Sequence, residues 1–155
     1  MNNTPNHPFG PTPTQMFLKV DQYLSEKKFD KIFLVTDQKN YLELFKKRYG
    51  NKVCFCNTFR SNTIRAFHYK DARLNHRYKM GRNILLEMLL LSKLSTLICS
   101  RSNVSQLASL ISKNNNYEVF EIWNGMNSNK ILLSLFLWNV KRILPEFLGG
   151  FKKKI

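Results

Sequence analysis

The sequence predicts an α/β fold, with a mostly parallel sheet of about four strands and flanking helices, and two observations predict it. Four short apolar runs, at 32–35, 53–56, 96–99 and 117–122, have the length and composition of strands. Longer segments with apolar residues at helical spacing separate them, and strands alternating with helices imply a right-handed, Rossmann-like half-fold. The chain has 155 residues, 18.3 kDa and 43% apolar residues, enough for one core and too many for simple disorder.

The elements follow in order. Residues 1–13 hold four of the five prolines and read as an extended lead-in. Met16, Phe17, Val20, Tyr23 and Leu24 lie at helical spacing behind Thr14, a plausible N-cap. The run at 32–35 ends in Thr36-Asp37 and reads as a buried parallel strand. Tyr41, Leu42, Leu44, Phe45 and Tyr49 form the next helix, closed by Gly50.

After the second strand, residues 57–79 are polar, basic and without period, a length of loop that is usually functional or mobile. Gly81 then opens a strongly apolar helix through Leu91. The third strand leads through Ser100-Arg101-Ser102-Asn103 into a helix carrying Val104, Leu107, Ala108 and Ile111, and the fourth strand follows. Residues 14–123 therefore read as one Rossmann-like domain and 124–155 as a helical segment with a basic tail. The run at 131–148 packs on the sheet, meets a partner domain, or lies on an anionic membrane with Lys152, Lys153 and Lys154.

Lys and Arg number 25 against 10 Asp and Glu, a net charge of +15 that calls for an anionic partner. Eleven of the bases, with Asp71 as the single acid, fall between Leu44 and Leu86. Cys54, Cys56 and Cys99 have no zinc spacing and read as buried free thiols of a reducing compartment, so the expected location is cytoplasmic. The start of the chain lacks the basic and apolar regions of a signal peptide, and no run of about 18 apolar residues exists. His7, His68 and His76 have no metal spacing and read as surface residues. A Walker A loop, a glycine-rich dinucleotide fingerprint, a His-Glu-x-x-His helix and a nucleophile elbow are all lacking.

Three places remain for chemistry. Ligands of open parallel sheets sit beyond the carboxyl ends of the strands. Asp37 stands at one such end, either accepting hydrogen bonds from a ligand or capping the helix that begins near Gln38. Ser100, Arg101, Ser102 and Asn103 stand at another, where free N–H groups, hydroxyls and a guanidinium suit a phosphate, or where Ser102 or Asn103 is an ordinary cap. Glu87 is a lone carboxylate within an apolar helix, with no Lys or Arg three or four residues away. It either lies on a narrow exposed stripe or is held for a ligand, such as the paired N–H donors of a guanine edge.

The succession Lys31-Ile-Phe-Leu-Val-Thr-Asp37, Gly81-Arg-Asn-Ile-Leu-Leu-Glu-Met-Leu-Leu-Leu-Ser-Lys93 and Leu97-Ile-Cys-Ser-Arg-Ser-Asn-Val-Ser105 resembles the donor-binding half of fucosyltransferase-like GT-B glycosyltransferases. These comprise the α1,6-, nodulation-type and O-fucosyltransferases, and the likeness covers roughly residues 7–123. It implies one half of a GT-B fold and a GDP-sugar donor, usually GDP-fucose, used without a required metal or other cofactor. By position, Asp37 matches the first acid of the family's Ala-Thr-Asp-Asp strand end, and Gln38 replaces the second. Glu87 matches the helix Asp that holds guanine, and Ser102 and Asn103 match a Ser-Ser pair near the phosphates.

The family's acceptor half and its His-x-Arg-type segment, whose arginine neutralises the leaving diphosphate, have no counterpart before Pro13. The expectation is a donor-binding domain acting on a surface glycan with a separate N-terminal half or partner chain, and weak or no transfer by the isolated chain. Arg101 or the basic loop would have to stand in for that arginine. The alternative is a nucleic-acid-binding module, for which Phe59, Phe67, Tyr69 and Tyr78 interleave with the bases, although no RRM, KH or zinc signature accompanies them. A third is a non-catalytic remnant.

Overall fold

The computed structural model describes residues 5–27, 29–62, 73–145, 148 and 150. In chain order the described elements are α1 (Pro13–Glu26), β1 (Ile32–Phe33), α2 (Lys39–Tyr49), a single 3-10 turn (Gly50–Lys52), β2 (Val53–Cys54), α3 (His76–Leu91), β3 (Thr96–Cys99), α4 (Asn103–Ile111), β4 (Glu118–Glu121) and α5 (Ile131–Ile143). The alternation of helix and strand is therefore α/β.

The expected single sheet of about four strands is not formed among the described residues. β1 pairs only with β2 and β3 only with β4. The first pair is parallel, with Ile32 opposite Val53 and Phe33 opposite Cys54. In the second, Glu118 N donates to Ser95 O at 2.9 Å and Ile122 N to Cys99 O at 2.8 Å, the constant offset of a parallel ladder. Only a small part of a Rossmann-like arrangement is thus present. An apolar run shows where a strand lies but not which edge it takes, and two-residue ladders offer little edge to a third strand. β4, with Glu118, Val119 and Glu121 exposed, lacks the two covered faces of a central strand.

The chain packs as two compact units. One is drawn from residues up to Val20, Ile98–Arg101 and the chain from Phe120 onward; the other comprises Asp21–Leu97 and Ser102–Val119.

In the first unit, the proline-rich lead-in is extended and paired: Pro8 bridges Met126 antiparallel, and Phe9 N donates to Gly125 O at 2.9 Å. Phe9 is buried and stacks on Trp138 of α5, with centroids 6.2 Å apart. α1 starts two residues earlier than expected, because Thr12 is its cap rather than Thr14. Thr12 Oγ1 accepts from Gln15 N and Gln15 Oε1 accepts from Thr12 N, a reciprocal capping box with Pro13 at the first helical position.

In the second unit, Leu34, Leu42, Phe45, Val53, Met80, Leu91, Leu97 and Ala108 are buried. α2 ends at Gly50, whose φ of +54° is the left-handed conformation glycine adopts freely. α3 begins at His76, five residues before the expected Gly81, so its first turns belong to the stretch read as loop. Gly81 lies inside the helix on its outer side, where a missing side chain forfeits no packing. Residues 63–72 of that stretch, with Arg65, Phe67, His68, Tyr69 and Lys70, lie outside the described residues.

Candidate functional site

α3 buries the opposite of what its composition suggests. His76, Met80, Glu87 and Leu91 share one helical face turned inward, while Leu85, Leu86 and Leu89 are exposed. Glu87 is only 6% exposed, so the exposed-stripe reading does not hold. Beyond β2, residues 55–60 leave the ladder and supply its partners. Thr58 Oγ1 donates to Glu87 Oε1 at 3.1 Å, and Arg60 Nη2 stands 3.9 Å from the same oxygen.

Arg60 is as deeply covered as Glu87. Its guanidinium closes back on its own segment, with Nη2 donating to Cys56 O at 2.9 Å and Nη1 to Thr58 O at 3.2 Å. It also lies over the Phe55 ring, 5.2 Å from the centroid. Its Nε is buried without a partner. These partners occupy one oxygen of Glu87 and leave Oε2 without a hydrogen bond among the described residues.

Burial pushes the Glu87 pKa above the ordinary carboxylate value; the Thr58 hydroxyl and the Arg60 charge oppose this, and the Asp37 charge adds to it. The Cys56 thiol is likewise pushed up, by burial first and then by Glu87.

Asp37 is exposed and does not cap α2, whose cap position is Gln38 with no side-chain bond. Thr36 Oγ1 instead accepts from Gln38 N at 3.2 Å, and the Asp37 carbonyl accepts from Ser61 N at 2.8 Å, holding the chain after β1 beside the segment that carries Arg60. Asp37 and Glu87 thus belong to one electrostatic neighbourhood in the second unit.

The turn from Ser100 to Asn103 is divided between the units. Ser100 and Arg101 belong to the first, where the Arg101 guanidinium lies 5.8 Å from the centroid of the exposed Trp123 ring. Ser102 and Asn103 belong to the second. Ser102 Oγ accepts from Ser105 N at 3.1 Å and Ser105 Oγ accepts from Ser102 N at 3.0 Å, so Ser102 is the N-cap of α4 in a capping box. Asn103 opens the helix, exposed.

Other expectations change. Cys54 is exposed and neither Cys56 nor Cys99 is fully buried, although all three are free thiols. His7 is exposed as expected, but His76 is buried, with Phe59 edge-on at 4.8 Å and Arg73 Nε donating to its Nδ1 at 3.4 Å. Among the described residues no group of His, Cys, Asp and Glu could hold a metal ion. Thr58 and Arg60 were not legible as partners of Glu87, because they lie 29 and 27 residues before it. The only signal was indirect: a carboxylate on a helix this apolar requires a donor from elsewhere. Compared with protein-family models, curated proteins and solved structures, the chain matches none.

Proposed function

We propose that the chain is a nucleotide-binding domain for a GDP-sugar, GDP-fucose by the resemblance, and the donor-binding part of a glycosyltransferase acting on a glycan. One observation carries the reading: a buried carboxylate on α3 with one oxygen engaged by Thr58 and Arg60 and the other without a hydrogen bond among the described residues. A guanine edge offers two adjacent N–H donors, which a single carboxylate can accept together. Burial strengthens such a pair, since a donor that fails to match leaves a charge unpaired in a low-dielectric site. Asp37, exposed at the end of β1, is the second acceptor of the same neighbourhood.

The roles of Ser100, Arg101, Ser102 and Asn103 toward phosphate rest on the resemblance. Ser102 and Ser105 spend their hydroxyls on the cap of α4, so the backbone N–H groups at that helix start, rather than the Ser102 side chain, are the better donors. Transfer needs the departing diphosphate charge stabilised.

Calorimetric titration with GDP, GDP-fucose and ADP tests the proposal. A preference for guanine that Glu87→Ala removes, with circular dichroism unchanged, supports it. Absence of GDP binding at millimolar ligand overturns it.

A second reading has its own observation. The start of α3 exposes Arg77, Tyr78 and Arg82, bases flanking an aromatic ring as in single-strand nucleic-acid grooves. RNA binding that weakens steeply with salt and is reduced by Tyr78→Ala would favour it over nucleotide binding.

A further inference from the structure

The outer face of α5 is apolar and uncovered. Leu132 is 83% exposed and Phe136 62%, and Ile131, Leu135 and Ile143 share their side of the helix. The inner side is committed to the first unit: Ser134 is fully buried, Trp138 stacks on Phe9, and Lys141 Nζ donates to Asn124 O at 3.0 Å. A helix of 13 residues presents this face over about 20 Å.

We propose that this face docks on an anionic lipid bilayer, with α5 lying in the plane of the interface. The charges flanking it favour that occupant. Lys130 precedes the helix and Arg142 lies in its last turn, both exposed, and from Ile122 to the end the sequence has six Lys and Arg against one Glu. Such an arrangement sets apolar side chains among the acyl chains and cations at the phosphates. The chemistry of the face favours lipid over a protein. Its central polar residue, Asn139, turns its amide back onto Leu135 O at 3.0 Å, whereas protein interfaces carry about one hydrogen bond per 100–200 Å². Lipid requires no such directional partner. The proposal involves the first unit alone and does not depend on nucleotide binding.

Co-sedimentation of the full chain with vesicles tests it. Binding to vesicles of phosphatidylcholine with phosphatidylglycerol should exceed binding to pure phosphatidylcholine by about tenfold or more and weaken with salt. The double variant Leu132→Asp, Phe136→Asp should reduce it by at least about tenfold. Both positions are exposed, so circular dichroism should not change, and the variant Lys130→Glu, Arg142→Glu should lose the preference for anionic lipid while keeping the fold. Absence of binding to anionic vesicles overturns the proposal, as does binding that survives the Asp substitutions, which would come from the basic stretch of the second unit. Concentration-dependent dimerisation abolished by those substitutions, without vesicle binding, would assign the face to a second copy and overturn it equally.

Discussion

Arg60 Nη2 stands 3.9 Å from Glu87 Oε1, and both side chains are only 7% exposed. The separation is too long for a hydrogen bond, so the two charges compensate each other electrostatically while the Thr58 hydroxyl makes the direct contact. The arrangement compensates the Glu87 charge in part and leaves Oε2 without a hydrogen bond among the described residues. A carboxylate clamped by a bidentate arginine would have both oxygens spent.

Removing one charge of this pair should cost more than removing both. Arg60→Met strands Glu87 and frees the carbonyls of Cys56 and Thr58, for an expected loss of about 2–4 kcal/mol. Arg60→Met with Glu87→Leu should recover part of it. Urea midpoints of the single and double variants measure this, and a double variant no more stable than Arg60→Met would remove the charge-compensation account.

Glu87 also sets a pH dependence. Its pKa is higher in the folded chain than in the unfolded one, so the folded state holds the proton more readily. Stability contributed by that proton is complete below about 4.5, the ordinary value, and is lost as pH rises through the raised one. Glu87→Gln keeps an acceptor for Thr58 without the charge. Unable to titrate, the variant should not show the wild type's fall in stability across that window, although it leaves the buried Arg60 charge uncompensated and so starts from a lower value. Unfolding midpoints at a series of pH values check the sign.

GDP binding should follow the opposite course. The guanine edge needs the carboxylate charged, so affinity should rise as pH increases through the raised Glu87 value and then level. Titrations from pH 4.5 upward would show it, and an affinity indifferent to pH there would detach Glu87 from the base.

Ser102 should behave as a cap first. Ser102→Ala removes one acceptor and one partner of the Ser105 hydroxyl and should destabilise by about 1 kcal/mol, whereas the exposed neighbour Asn103→Ala should stay within about 0.5 kcal/mol. A loss of GDP affinity in Ser102→Ala beyond this change in stability would show that its hydroxyl reaches the phosphates.

Phe45 and Leu132 should mark the two extremes of packing. Phe45, 1% exposed and flanked by the Tyr41 and Tyr49 rings, should cost about 3–5 kcal/mol when changed to Ala. Leu132→Ala, on the open face of α5, should stay within about 0.5 kcal/mol. Thermal melts of the two variants distinguish them.

Local signals in the sequence placed all four strands and five helices within a few residues, because apolar periodicity and capping chemistry act over one or two turns. Gly50 ends α2 and Ser102 starts α4 for reasons visible in the four residues around each. The Thr12 cap was missed by two positions because Thr14 offers the same hydroxyl, and only the reciprocal bonds with Gln15 distinguish them. The start of α3 was missed because His76 to Lys79 give no apolar period.

Glu87 was legible as an anomaly and not as a geometry. Periodicity alone could put it on either face of α3, and the choice was made by Thr58 and Arg60, which stand just after β2 and are separated from α3 in the chain by a long excursion. Sheet assembly was decided in the same way. Pairing two strands depends on edges that meet through tertiary packing, so the sequence by itself determined the elements, the basic excess and the odd carboxylate. Tertiary structure alone decided that the strands form two pairs, that Glu87 turns inward, and that the apolar side of α5 faces out.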